Sequence, residues 1–426
     1  MKRIALKTLA AIIAILAAIY GYQWFHDPGS DRKGAAAGDQ AQLVARGEYL
    51  ARAGNCIGCH TMRNGEAYAG GRAIVTPFGT IYGPNITPEA ETGIGTWTAD
   101  DFWRALHNGK AKDGQFLYPA FPYPNYTKIS RADADAIFAY LKSVKPVKQA
   151  SRQAELRFPY NQRALLAYWR AMYFTPGEFE AQAGQSEQWN RGAYLVQGLG
   201  HCGACHTSRN ALGGSTAGAD LAGGMIPIQD WYAASLTSDP ATGLGNWSNQ
   251  DVADLLHAGV SARGAVFGPM AEVVFNSTQH LTPGDIDAMA LYVKSVPEKE
   301  APAIASAPVT DNANDVLVKG AQIYKKQCDT CHKADGKGMP PAYPALAGSR
   351  SLTSQSVVNP IRMVINGGYA PATEGNPQPY GMPPFADTLN DEEIAAVVSY
   401  VRMSWGNHGG LVSPVDVRRH RGLAAE

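Results

Sequence analysis

The sequence predicts a mainly α-helical protein of three tandem modules behind an N-terminal apolar helix. A helix–motif–helix pattern is written three times, six cysteines fall entirely into three Cys-x-x-Cys-His motifs, and one apolar run opens the chain. A length of 426 residues allows about two to four domains. Hydrophobic residues make up 45% and charged residues 17%, with Lys+Arg and Asp+Glu both 37. That balance describes a folded, near-neutral chain and excludes the basic surface of a nucleic-acid binder.

At the N-terminus Lys2, Arg3 and Lys7 precede an apolar run from Leu9 to Tyr20, backed by Tyr22, Trp24 and Phe25. The segment is an export signal or a membrane anchor. A cleaved signal ends in small residues. Here the run meets bulky aromatics that suit a membrane interface, which favours the anchor. Ile4 to Phe25 is close to the roughly 20 residues that span a bilayer. The basic residues keep the leading end cytoplasmic, so the rest of the chain is expected on the periplasmic side of the inner membrane.

Self-comparison finds the repeat. A glycine-bearing helical stretch precedes each cysteine pair: Arg46-Gly47-Glu48-Tyr49-Leu50, Arg191-Gly192-Ala193-Tyr194-Leu195 and Lys319-Gly320-Ala321-Gln322-Ile323. A second helix closes each unit, containing Tyr140-Leu141-Lys142-Ser143, Tyr292-Val293-Lys294-Ser295 and Tyr400-Val401-Arg402. Ser130, Thr282 and Asn390 read as N-caps of these closing helices. Glycine costs a helix about 1 kcal/mol, so Gly47, Gly192 and Gly320 are expected where the first helix crosses the last. The expected boundaries are 1–30 for the signal or anchor, 40–150, 186–298 and 313–410 for the modules, 151–185 and 299–312 for linkers, and 411–426 for a tail. The first linker is too apolar for a free tether, with Leu165, Leu166, Trp169, Met172 and Phe174, and is expected to pack on a domain or a partner.

Cys56-Ile57-Gly58-Cys59-His60, Cys202-Gly203-Ala204-Cys205-His206 and Cys328-Asp329-Thr330-Cys331-His332 each match the signature of covalent c-type haem attachment. Two thiols three positions apart can bond the two vinyl groups on one porphyrin edge, and the next residue brings its imidazole to the iron. Structural zinc wants a second ligand pair at finger spacing, and a thioredoxin-like pair wants a βαβ context; neither is present. Disulfides would leave the three histidines unexplained. Three covalent haem c groups are therefore expected, with His60, His206 and His332 as iron ligands.

A thioether as sixth ligand raises a haem's potential and closes its iron to substrate. Met270, 64 residues after His206 in Gly268-Pro269-Met270, and Met382, 50 residues after His332 in Gly381-Met382-Pro383-Pro384, are the expected axial ligands. The equivalent loop of the first unit carries Phe121, which cannot ligate iron. His107, Met62 or Met172, a bis-histidine arrangement, or an open site remain for that haem. His107 has a counterpart in His257 of the second unit, where a methionine is available, which favours a structural role. Trp97 and Trp247 are expected in core or haem-edge packing, and Arg63 and Arg209 at propionates or in solvent.

Several longer segments carry a resemblance: Thr76-Pro77-Phe78-Gly79-Thr80-Ile81-Tyr82, Asn85-Ile86-Thr87-Pro88, Leu117-Tyr118-Pro119-Ala120-Phe121-Pro122-Tyr123, Gly200-His201-Cys202-Gly203-Ala204-Cys205-His206-Thr207 and Phe267-Gly268-Pro269-Met270-Ala271-Glu272-Val273-Val274. Over about residues 40 to 410 the chain resembles the triheme cytochrome c subunits of membrane-bound periplasmic dehydrogenases, such as those acting on alcohol, gluconate and aldehydes. The resemblance implies three tandem class I cytochrome c-like domains. It also implies a relay that takes electrons from a catalytic dehydrogenase subunit and passes them to membrane quinone or another cytochrome, without catalysis of its own. The competing reading is a self-contained haem enzyme, of peroxidase or thiosulfate-oxidising type, acting at the first haem. The Phe121 loop is its support.

Overall fold

The computed structural model describes residues 1–29, 34, 39–226, 229–300, 307–309 and 311–422. Half of the linker expected at 299–312, residues 301–306 and 310, therefore lies outside the described residues. The chain forms two compact units: Met1–Gly184 with Tyr194–Ala204 and Asn210–Gly214, and Gln185–Ala193 with Cys205–Arg209 and Ser215–Glu426.

In the first unit, helix Gln40–Ala53 crosses helix Arg131–Ser143. Gly47 sits at the crossing, where an added Cβ would lie 1.9 Å from the Ala136 carbonyl oxygen. Arg46 pins the same pair by donating through Nε to Asp133 at 2.9 Å. Ser130 caps the closing helix by accepting from the Asp133 amide, as its sequence position implied. A three-stranded antiparallel sheet joins Ala73–Thr76, Gly79–Tyr82 and Glu155–Leu156, with Ala73 opposite Tyr82. Residues after 150 are part of this unit. Besides that edge strand they form helix Leu166–Tyr173, which buries Leu166 and Trp169 while Leu165 and Met172 stay exposed.

The apolar helix Lys2–Phe25 is long and apolar enough to cross a membrane and buries none of its residues. Its C-terminal end is built into the unit. Tyr20 and Trp24 meet Phe116 edge-on at 6.4 and 5.8 Å. The Lys110 side chain is only 1% exposed, and its ammonium donates to the Trp24 carbonyl at 2.8 Å and pairs with Asp27. Trp103 Nε1 donates to the Gly29 carbonyl, and Asn108 Nδ2 to that of Pro28.

In the second unit the same crossing recurs twice. Helix Glu187–Tyr194 meets helix Pro283–Ser295 at Gly192, and helix Ala313–Gln327 meets helix Asp391–Met403 at Gly320. Added Cβ atoms there would lie 1.9 Å from Ala288 O and 2.2 Å from Ala396 O. Arg191 pairs with Asp285 as Arg46 does with Asp133. Thr282 accepts from the Asp285 amide, and Asn390 with Glu393 forms a full capping box. The core around helix Asp391–Met403 is aliphatic, built from Ile361, Ile365, Ile394, Val397, Val398 and Val417. The tail forms helix Pro414–Arg421, whose Arg418 and Arg421 both pair with Asp391.

The crossings leave no room for a side chain, and overpacking a tight interior costs about 1–3 kcal/mol. Gly320→Val is therefore expected to lower stability by roughly that amount or more. Chemical denaturation of the full chain, followed by far-UV circular dichroism, checks this; an unchanged midpoint would remove the crossing from the account.

Candidate haem sites

Each motif sits on a short helical turn: Cys56–His60, Gly203–His206 and Asp329–His332. Asn55 and His201, the residues before the first cysteine of the first two motifs, both have positive φ, at 47° and 37°, which turns the chain sharply into the motif. All six cysteines are free thiols. Burial pushes the Cys56 thiol up to about 12 and the Cys328 thiol up to about 11. Among the described residues no three His, Cys, Asp or Glu side chains converge on a metal-ion site.

The three histidines share one geometry. His60 Nδ1 lies 2.8 Å from the Pro84 carbonyl oxygen, His206 Nδ1 2.7 Å from that of Ala234, and His332 Nδ1 3.0 Å from that of Pro344. A carbonyl can only accept, so Nδ1 carries the proton and Nε2 keeps its lone pair. Burial lowers the pKa of all three, that of His206 to about 4, which keeps the imidazoles neutral. A histidine that ligates a metal is prepared in this way, its ring orientation and tautomer fixed by the hydrogen bond of the far nitrogen.

In the same module, strand Gly381–Met382 pairs with Gly368–Tyr369 and carries Met382. Cys328, Cys331, His332 and Met382 line one cavity of about 290 Å³. It extends past Arg350 to Ala234, Trp247 and Phe267, all within the second unit. Met270 is the second residue of helix Pro269–Asn276 and is partly buried. Gly268 before it has φ 54°, and an added Cβ would strike the Trp231 ring at 2.8 Å, so the Gly-Pro-Met turn needs its glycine. Free thiols, neutral oriented imidazoles and an apolar cleft fit a covalently attached haem.

Around the first motif Phe121 is tilted against Tyr126, with ring centroids 5.3 Å apart, and packs on the cluster of Tyr123, Trp169 and Phe174. Tyr126 in turn donates to the Gly54 carbonyl at 3.0 Å. Met62 and Met172 are 47% and 58% exposed. His107 is buried, stacks on Trp103 at 4.3 Å, and directs Nδ1 to the Thr127 carbonyl at 3.0 Å, the surroundings of a packing histidine. Trp247 is buried, Trp97 half-buried and Arg63 exposed; Arg209 donates to Ser215 Oγ at 3.2 Å. The three carbonyl acceptors and Arg350 escaped sequence reasoning, because loop backbones and a lone arginine carry no spacing signal. The prolines at Pro84 and Pro344 were the available hint.

Fold and site together define a c-type cytochrome. The Cytochrome c family profile matches residues 44–145 and 317–405. The chain is 39% identical over 398 residues to the cytochrome c subunit of alcohol dehydrogenase (quinone) from Gluconacetobacter polyoxogenes, covering 90% of this chain and 85% of that protein. It is 41% identical over 391 residues to the gluconate 2-dehydrogenase cytochrome c subunit of Pantoea cypripedii, 88% of each chain. It is also 36% identical over 406 residues to the fructose dehydrogenase cytochrome subunit of Gluconobacter japonicus, covering 89% and 82%. The chain belongs to the family of dehydrogenase cytochrome c subunits. These likenesses lend no support to a self-contained haem enzyme.

Replacing His107 separates packing from ligation. His107→Gln is expected to leave the visible spectrum of all haems unchanged while lowering stability by about 1–3 kcal/mol through the lost buried contacts. A high-spin shift in one haem would make it a ligand.

Proposed function

We propose that the chain is a triheme electron-transfer subunit that takes electrons from a catalytic dehydrogenase subunit and passes them to membrane quinone or a downstream cytochrome. The observation that carries this is the threefold recurrence of a Cys-x-x-Cys-His turn whose histidine is oriented by a backbone carbonyl. Each module, 40–150, 186–298 and 313–410, holds one haem c through Cys56, Cys59 and His60, Cys202, Cys205 and His206, or Cys328, Cys331 and His332. Met270 and Met382 would be the further protein donors to the second and third haem irons. A haem supplies one-electron chemistry when bound. The protein fixes the imidazoles through backbone carbonyls and lines the cleft around His332 mostly with apolar side chains, so little would rearrange when an electron arrives.

The chain works on the periplasmic side of the inner membrane, held by helix Lys2–Phe25 as a retained anchor. Lys2, Arg3 and Lys7 precede the apolar run, in keeping with a cytoplasmic leading end. Retention is supported by Lys110, which is buried and takes its counter-charge from Asp27. Cleavage after Asp27 would remove that partner and leave a buried cation unpaired, which is strongly destabilising, and cleavage anywhere behind the helix would remove the Trp24 carbonyl to which Lys110 also donates.

Two measurements test this. Substrate added to a reconstituted complex with a quinone-dependent dehydrogenase catalytic subunit should reduce the haems within turnover time, whereas the cytochrome chain alone should leave them oxidised. Substrate turnover by the isolated chain would overturn the relay. Intact mass of the membrane-extracted protein should include residues 1–29, and a mature chain beginning after His26 would contradict the retained anchor.

A further inference from the structure

Two of the buried arginines, Arg402 and Arg131, are richly partnered. Arg402 donates to the carbonyls of Ser354, Ser356, Gly409 and Gly410, and Arg131 pairs with Asp100 and Asp135. Arg350 is different. It opens helix Arg350–Thr353, donates through Nη1 to the Ser235 carbonyl at 2.8 Å, and lays its guanidinium over the Trp247 ring at 4.5 Å. Among the described residues no carboxylate pairs with it. A guanidinium has five N–H donors, and a single carbonyl leaves most of them without an acceptor. Removal from water lowers its pKa to about 10, and the Ser235 carbonyl it binds is next in the chain to the Ala234 carbonyl that holds His206.

Position supplies the missing partner's chemistry. Arg350 lines the same cavity as Ala234, whose carbonyl orients His206, and as His332 and Met382 of its own module. The cavity's other arginine, Arg263, is already committed to the Asn246 carbonyl at 3.0 Å and lies 3.9 Å from Asp251. A planar fork of donors over an aromatic face, in the lining of a candidate haem cleft, suits a bidentate carboxylate.

We propose that Arg350, although it belongs to the third module, is the counter-cation for a propionate of the haem ligated by His206. This rests on the three-haem reading above. The third module thereby completes the electrostatic surroundings of the second module's haem. A cation at that carboxylate disfavours the ferric state, so Arg350 holds the potential of this haem up. Arg350 is a positioning residue, acting on the haem through its carboxylate.

Optical potentiometric titration of the full chain, with haem content measured in the same sample, tests this. Arg350→Gln should make one haem at least tenfold harder to reduce, a fall of about 59 mV for one electron. Arg350→Lys, which keeps the charge, should recover most of that shift. In a Met270→His background, which moves the haem of the second module, the Arg350→Gln shift should travel with that haem. Three haems with unmoved midpoints, or a shift confined to another haem, would overturn the proposal alone. Absence of haem at Cys202 and Cys205 would overturn the three-haem reading and this proposal with it.

Discussion

Three times in this chain a helix glycine is pressed against the carbonyl of an alanine on a crossing helix, with no space for a methyl group between them. The haem sites depend on that contact. Each crossing fixes the helix that leads into a Cys-x-x-Cys-His turn against the helix that closes the segment, so the cysteines, the imidazole and the opposing loop are held to a common frame. Arginine-to-aspartate pairs at the first two crossings, Arg46 with Asp133 and Arg191 with Asp285, fix the angle of approach. The first of these arginines is largely exposed, so its value lies in geometry more than in energy. The third crossing dispenses with such a pair and relies on an aliphatic core.

With the frame set, the histidines have one remaining freedom, rotation of the ring. A loop carbonyl removes it at each site. The same bond decides the tautomer, and burial keeps the ring neutral. An imidazole prepared in this way asks for no reorganisation when it holds iron. That is the property an electron carrier needs, and it agrees with a family whose named members are the cytochrome subunits of dehydrogenases.

Much of this was legible in the sequence where short-range chemistry decides. The motif spacing marked the candidate haem turns, the propensity cost of Gly47, Gly192 and Gly320 marked the crossings, and Ser130, Thr282 and Asn390 marked the helix starts. The apolar character of residues 165–174 foretold that they would pack. Long-range pairings were not legible. Nothing around Lys110 announces that its ammonium is buried against Asp27, because the partner lies more than eighty residues away and neither residue repeats. Arg350 is silent for the same reason, and its role emerges only when the fold brings it beside Trp247. Nor does the tail's sequence announce that Arg418 and Arg421 are spent on Asp391 within the fold. Phe121 was recognised as a break in the pattern, and the structure shows it filling its site as one ring of an aromatic cluster.

The central claim is that one chain carries three covalent haems. Intact-mass spectrometry under denaturing conditions measures it directly, since thioether-bound haem stays with the polypeptide and any other haem is lost. The account predicts the polypeptide mass plus three haem groups. A mass with two or fewer from a fully matured preparation would contradict it.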